Sequence, residues 1–524
     1  MPIRPERPAG FVGFSGVITV PLFYNNTTNT LDIFARKFLK DGQTVGKIVH
    51  LVVGGPGQSS DVWLSHLEGL TTMFGSDTLF VITDHRGMGR SSPLCSPHDI
   101  SWETNWGGFM AKLKYPIKAI TVSNAGRDLV RIAECLREEF PAVEQIVVGS
   151  SYGSRVATAA INTSPDIFKV AIMDGLDVEN MAGLGPVRIG ALLDNCRRNH
   201  YCHRVVGEPE RLEKLIPAIR AERNGCTRLF FAAMKQHLRI DVECDALELA
   251  FYKLLIAKST PEKRQIPAML VLALLKQFEE CSDEVMVQRM TEKTIRSLKK
   301  SGIVTSSGSG TPDDLLVHLY ISASEKWHGT PPPYCQVKCD ARAYKFCITA
   351  AMYQRYRDHF GDSVYLPVGP SQQPLTGNTR VLVLAGALDY STPLVAAETL
   401  VAKMKVPSKQ ILVFRNRGHG LLHNTECVRR AIKAVLTGGG YDDAQACLNA
   451  INSVTLDWEG QDFPNQKKLF AVPPTEDERN SNRAVLENDQ SRIRSSWTCT
   501  TVILFIIFFF LGLVAGFLYY RRSV

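Results

Sequence analysis

The chain has 524 residues, more than one simple core usually holds, so a main domain with an insertion or a second domain is expected. Its composition, 45% hydrophobic and 21% charged, is that of a globular protein. The net charge of +8 comes from 60 basic and 52 acidic residues with no basic block, and His and Cys show no metal-ligand spacing, so nucleic acid, metal and cofactor binding are not expected.

The N-terminus, MPIRPERPAGFVGFSGVITVPLFY, lacks the apolar core of a secretory signal. Asn25 and Asn26 just beyond it, and Asn162 further on, head N-x-S/T sequons. Short runs rich in Val, Ile and Leu then follow along the chain: His50 to Gly55, Thr78 to Asp84, Gln145 to Ser150, Phe168 to Gly175, Thr379 to Gly386 and Lys409 to Asn416. Each ends in a glycine, aspartate, asparagine or serine and reads as a strand buried on both faces, as in a parallel sheet. Helical patterns separate them, among them Asn124 to Phe140 with apolar residues at Leu129, Ile132, Ala133 and Leu136, which gives an α/β order.

The first run leads into Gly54-Gly55-Pro56-Gly57, where glycines let backbone N–H groups approach a substrate and Pro56 fixes the turn. The third leads into GSSYG, in which Gly149, Ser151 and Gly153 have the spacing G-x-S-x-G between a buried strand and a helix. That context places Ser151 on a sharp turn at the carboxyl end of the sheet with Oγ exposed, and aims the Tyr152 N–H at a developing oxyanion. Ser150 lacks the flanking glycines and reads as structural.

About 200 residues of helical character follow, including Asp245–Thr260 and Pro261–Glu280, with a loop at Thr305–Asp314. They interrupt the α/β pattern as an insertion. A serine nucleophile needs a base oriented by a carboxylate. Asp389 stands just past the Thr379–Gly386 strand, and His419 follows the next one between Gly418 and Gly420. Both fall where loops gather at the carboxyl edge of a parallel sheet. Those flanking glycines favour His419 over the nearby His423.

After about Cys447 the pattern fades into a polar stretch that reads as a stalk. Between Arg494 and Arg521 there is no charge, and the apolar centre is long enough to cross a bilayer as a helix. Trp497, Tyr519 and Tyr520 stand at interfacial positions. Without a signal peptide this is a tail anchor facing the cytosol. The cysteines argue otherwise: of 13, only Cys499 lies in the apolar run. Cys196/Cys202, Cys335/Cys339 and Cys427/Cys447 are close enough in sequence to pair, which favours a lumenal or extracellular catalytic domain.

Taken together, GGPGQSS, VITDHRGMGRSSPLC, GSSYGSRVATAA, VAIMDGLD, VLVLAGALDYSTP and GHG occur in an order that resembles the prolyl-aminopeptidase and tripeptidyl-aminopeptidase branch of the α/β-hydrolases. The resemblance runs from about Gly16 to Cys447 and is weak across the insertion. It implies Ser151 as nucleophile, Asp389 as orienting acid and His419 as base. It also puts Gly54, Gly55 and Tyr152 around the oxyanion, with Asp84 and Arg86 as structural braces. Val53 stands where prolyl aminopeptidases usually carry histidine, which favours the tripeptidyl type. The implied fold is an α/β-hydrolase, a mostly parallel sheet flanked by helices, with a large helical cap insertion and a C-terminal transmembrane helix. Core segments are expected at 1–176 and 371–450, the cap at 177–370, the stalk at 451–496 and the membrane span at 497–520. The implied activity is that of a membrane-anchored serine exopeptidase acting on peptides with a free N-terminus. A carboxylesterase or lipase with the same triad, and a non-catalytic adhesion or receptor ectodomain, are the alternatives. An aminopeptidase must also hold the substrate's ammonium group, and a buried cation needs a carboxylate. Within LYISASEKWHG, Glu325 resembles the acidic residue that the family often carries there; the plain alternative is a solvated glutamate on a helix face.

Overall fold

The computed structural model describes residues 8–95, 109–177, 225–238, 281–300, 315–325, 361–365 and 369–453 apart from 390, 416, 423 and 424, with single positions between 193 and 360. Eight strands form one sheet: β1 (Phe11–Phe23), β2 (Asn26–Lys40), β3 (Lys47–Val52), β4 (Thr78–Thr83), β5 (Gln145–Ser150), β6 (Val170–Asp174), β7 (Arg380–Gly386) and β8 (Ser408–Phe414). The spatial order is β1-β2-β4-β3-β5-β6-β7-β8. The β1–β2 and β2–β4 pairings are antiparallel and the others parallel.

The buried runs read from the sequence are the six strands β3 to β8, with ends shifted by no more than a few residues. They are largely apolar because both sides of the sheet are covered, with polar exceptions such as the buried His50 and Gln145 and the Ser408–Gln410 start of β8. On one side lie Val147, Ala171, Met173, Val381 and Val383. They pack against α2 (Val122–Glu139), α3 (Tyr152–Thr163) and α7 (Leu394–Lys403). The alternate residues Ile146, Val148, Ile172, Leu382 and Leu384 face α1 (Leu67–Phe74), α8 (Glu426–Thr437) and α9 (Asp442–Ser453). The period of two assigns successive side chains to opposite cores. A search for continuous apolar runs passes over β1 and β2, because this edge hairpin alternates buried with exposed residues.

Three helices are described in the insertion between β6 and β7: α4 (Gly225–Leu238), α5 (Glu284–Lys300) and α6 (Leu315–Glu325). Phe230 and Phe278 stack edge to face at 5.1 Å, and a Cys226–Cys281 disulfide, absent from the sequence expectation, ties α4 to the start of α5. The helix α6 belongs to the main core: Leu316, Val317, Leu319, Tyr320, Ile321 and Ala323 join the cluster formed by α2 and α3. The expected helix Asp245–Thr260 and the loop Thr305–Asp314 lie outside the described residues. Of Pro261–Glu280, Leu274, Gln277, Phe278 and Glu280 are described, all helical.

The Cys427–Cys447 disulfide joins α8 to α9 as expected. Cys196 is disulfide-bonded, but Cys202, its expected partner, and the pair Cys335/Cys339 lie outside the described residues. Helix α9 runs to Ser453, past the expected end of the core at 450. Among the described residues no helix is long and apolar enough to cross a membrane. The expected span at 497–520 and nearly all of the stalk lie outside them.

The sequons differ in their surroundings. Asn25 and Asn26 are exposed at the β1–β2 turn. Asn162 is committed: its Nδ2 donates to the carbonyls of Pro370 (3.0 Å) and Gln373 (3.1 Å), and its Oδ1 accepts from Thr376 N (2.9 Å). Those bonds fasten α3 to the segment entering β7, so the Asn162 sequon is a structural asparagine.

Candidate active site

The parallel register levels the carboxyl ends of the strands. Val52 pairs with Gly149, Ser150 with Asp174, and Asp174 with Leu384. The residues that follow these ends therefore meet along one edge. Ser151 has φ 52° and ψ −124°, a backbone conformation that a non-glycine residue adopts only when its surroundings enforce it. They do so at three points. Ser151 N donates to Asp174 O at 2.8 Å, and Ser154 donates to Ser151 O through both N (2.8 Å) and Oγ (2.6 Å). The turn also needs its glycines: a β-carbon on Gly153 would lie 2.4 Å from Val52 O, and one on Gly149 would lie 2.6 Å from Gly153 O. Helix and strands cross there at backbone contact.

Asp389 and His419 form the expected pair, with His419 Nδ1 2.8 Å from Asp389 Oδ2. Asp389 is 4% exposed, and its Oδ1 accepts from Ser391 N and Thr392 N, both at 2.8 Å. Thr392 Oγ1 adds a bond of 2.6 Å to Oδ2. The carboxylate is thus fixed by three donors besides the imidazole, and Thr392 Oγ1 shares Oδ2 with it, 3.2 Å from His419 Nδ1. Burial pushes the His419 pKa down, but the Asp389 carboxylate outweighs it, with smaller help from Asp174 and Asp177, so the net shift is upward. The bond to Asp389 holds the hydrogen on Nδ1 and leaves Nε2 as the base.

Gly175 marks how close the two halves come. Its N donates to Leu384 O at 3.0 Å, it directly follows the Asp174 that binds Ser151, and a β-carbon on it would lie 2.8 Å from His419 Cε1. Among the described residues no hydrogen bond yet joins Ser151 Oγ to His419, and such bonds commonly tighten only with substrate.

On the other flank of Ser151, a β-carbon on Gly54 would come within 3.0 Å of Ser151 Cβ, whereas one on Gly55 would meet Gly57 and Gln58 instead. Of the two expected glycines, Gly54 therefore borders the serine. Tyr152 opens α3, and the first N–H groups of a helix have no carbonyl partner within it. The Tyr152 ring is held by His85. His85 Nδ1 donates to Arg86 O at 2.8 Å, which leaves Nε2 to accept from Tyr152 OH at 2.9 Å. Burial lowers the His85 pKa to about 4, so the ring is neutral and keeps this tautomer.

Asp84 and Arg86 brace the adjoining loop as expected. Arg86 is 1% exposed and grips Asp128 through Nε (2.6 Å) and Nη2 (2.5 Å), with Leu22 O and Ala119 O on Nη1. Asp84 accepts from Arg90 N (2.9 Å) and Nε (3.1 Å) and from Ser60 Oγ.

Glu325 departs from both readings of the sequence. It is neither solvated nor open to a substrate ammonium: it is 1% exposed, with Arg155 Nη2 on Oε2 at 2.9 Å and with Val122 N (3.1 Å) and Tyr365 OH on Oε1. Burial raises its pKa, against the pull of Arg155. A carboxylate already filled by an arginine, a tyrosine and a helix N-terminus does not serve as an amine anchor.

Sequence reasoning assigned no role to Asp174, Thr392 or His85. Asp174 takes Leu421 N (2.7 Å) on Oδ1 and Leu422 N (3.0 Å) on Oδ2, and so holds the loop that carries His419. Its signal was an acidic residue ending a buried strand before a glycine, in VAIMDG. His423 lies outside the described residues.

Residues 47–192 match the family model described as alpha/beta hydrolase fold, and residues 363–447 match the one described as TAP-like protein. Among solved structures the chain is similar to the peroxisomal alpha-beta-hydrolase Lpx1 from Saccharomyces cerevisiae, at 11% identity and a TM-score of 0.34, covering 92% of this chain and 98% of that one. An epoxide hydrolase from an endophytic Streptomyces shares 16% identity at a TM-score of 0.33, covering 82% and 96%. A serine hydrolase from the hydrocarbon-degrading bacterium Cycloclasticus zankles shares 12% at 0.32, covering 84% and 97%. A comparison with curated proteins finds no match. With two family matches on either side of the insertion, the chain has the α/β-hydrolase fold, and the match of its C-terminal core segment to the TAP-like, that is, tripeptidyl aminopeptidase-like, model supports that branch.

Proposed function

We propose that this hydrolase is a serine exopeptidase that releases N-terminal residues or short peptides through an acyl-enzyme. The observation that carries the reading is the buried Asp389–His419 pair at 2.8 Å, on the same sheet edge as a serine in a strained strand-to-helix turn. In this mechanism His419 Nε2 takes the proton of Ser151 Oγ as the oxygen attacks the scissile carbonyl. The imidazolium is stabilised by Asp389 and then protonates the leaving amine. The N–H groups of Tyr152 and Gly54 bind the oxyanion of each tetrahedral intermediate. Water, activated by His419, then releases the acyl group. No step calls for a cofactor.

The TAP-like match supports a peptide substrate. A carboxylesterase with the same triad is the second reading, favoured by the commitment of Glu325 to Arg155, which removes the amine anchor expected from sequence. Disulfides such as Cys427–Cys447 support an oxidising compartment and, with the apolar C-terminal run, a domain held outside the cytosol by a membrane span.

The test is a fluorophosphonate probe together with a defined peptide library. Labelling of the wild type and none of Ser151→Ala is expected, with N-terminal fragments released from peptides that have a free amine. Equal turnover of N-acetylated and free peptides would overturn the exopeptidase reading. Turnover of acyl esters alone would establish the esterase.

A further inference from the structure

Helix α6, from the insertion, touches both segments that flank Ser151. At His318, Nδ1 bonds to the carbonyl oxygen of Pro56 at 2.9 Å. Pro56 belongs to the turn that carries Gly54. Seven residues later and on the same face of the helix, Glu325 holds Arg155 Nη2 at 2.9 Å and also binds Val122 N and Tyr365 OH. Arg155 lies in the first turn of α3, three residues beyond Tyr152. A second contact reinforces that end: Arg155 Nη1 donates to the main-chain oxygen of Glu325 at 3.3 Å. Between the two contacts α6 is locked in the core by Leu319, Tyr320, Ile321 and Ala323, all fully buried.

A buried helix is a stiff spacer. Its two contacts here grip the two backbone segments to which the proposed mechanism assigns the oxyanion donors. Stabilisation of that oxyanion depends on donors about 2.7–3.1 Å from it, and small misplacements are costly in rate. We propose that α6 sets the separation of the Gly54 and Tyr152 donors, with His318 and the Glu325–Arg155 pair as positioning residues. The inference rests on the serine-hydrolase reading. His318 acts as a donor, because a carbonyl oxygen only accepts, and so carries its hydrogen on Nδ1.

The test compares His318→Ala, which removes the donor, with His318→Gln, whose amide can donate to the same carbonyl. On an acyl p-nitrophenyl ester, His318→Ala is expected to lower kcat about tenfold and to change KM by less than about twofold, because the lost interaction acts in the transition state. A trifluoromethyl ketone, which forms a tetrahedral adduct with the serine, should lose affinity by the same factor. His318→Gln should recover most of both losses. Unchanged kcat in His318→Ala, or a fall in kcat with no weaker ketone binding, overturns the brace, as does a folded His318→Gln that recovers nothing. If His318→Ala fails to fold, His318→Gln decides alone: kcat and ketone affinity near wild type support the brace, and a loss of kcat without a loss of ketone affinity overturns it. Fluorophosphonate labelling of the wild type separates the two levels. Absence of labelling removes the serine-hydrolase reading and the brace together, whereas labelling with unaffected His318 variants removes the brace alone.

Discussion

Ser151 stands in a turn shaped mostly by its sequence neighbours, with Gly149, Gly153 and Ser154 all within three residues. His419 lies in a loop fixed from afar, by Asp389 at a separation of 30 residues and by Asp174 at 247 and 248. The serine turn is a local solution: a strand ends, a helix begins, and glycines allow the close crossing. The histidine loop has no such local code, since its shape comes from carboxylates on two other strand ends. The difference teaches where each half is vulnerable. Chemistry can be removed from the turn without loosening it, whereas the loop can be loosened without touching the chemistry.

The largest expected effect isolates chemistry. Ser151→Ala keeps the β-carbon and removes only Oγ, so turnover should fall on the order of 10⁶-fold while stability changes by less than about 1 kcal/mol. Steady-state kinetics and thermal melts check both. Substantial residual turnover would mean that the turn is not the site of attack.

Next, Asp389→Asn should lower kcat by about 10⁴-fold, because the imidazole loses the partner that fixes its tautomer. The same pair sets the pH dependence. Only neutral His419 can take the serine proton, and its pKa is raised, so the acid limb of kcat/KM should lie above the usual histidine value of about 6.5. Activity falls as pH drops through that raised pKa. In Asp389→Asn the main raising influence is gone and burial remains, so the limb should move to lower pH. A limb that stays in place would assign the titration to another group.

The sharper test of the comparison is Asp174→Asn, which leaves Ser151, Asp389 and His419 intact. One of Leu421 N and Leu422 N then loses its carboxylate acceptor. Activity should drop by about 30- to 100-fold and stability by about 1–3 kcal/mol, the cost of a buried donor left unpaired. Hydrogen exchange should rise in residues 417–422 and stay unchanged around Ser151. Equal loosening at the serine turn would break the distinction between the two regions.

The smallest effect is expected for Thr392→Val. It removes the 2.6 Å bond to Asp389 Oδ2 but keeps the two backbone donors on Oδ1. A loss of about tenfold in kcat with little change in KM is expected, consistent with about 1.5 kcal/mol for one hydrogen bond to a charged group.

By itself the sequence determined six core strands and the order of serine, aspartate and histidine along them, because strands buried on both faces are largely apolar and end in recognisable turn residues. It also determined the serine turn, whose glycine spacing is local. The edge hairpin β1–β2 escaped notice because one-sided burial breaks the apolar run. Only the tertiary structure decided the roles of Asp174, His85 and Glu325. The partners of Asp174 and Glu325 are as far as 248 and 203 residues away, and whether a carboxylate faces solvent, a substrate or an arginine depends on what packs beside it. Glu325 is the clearest case. Its helix has an apolar face that suggests an exposed opposite side, but α6 is enclosed by the core, where a carboxylate needs protein donors as partners.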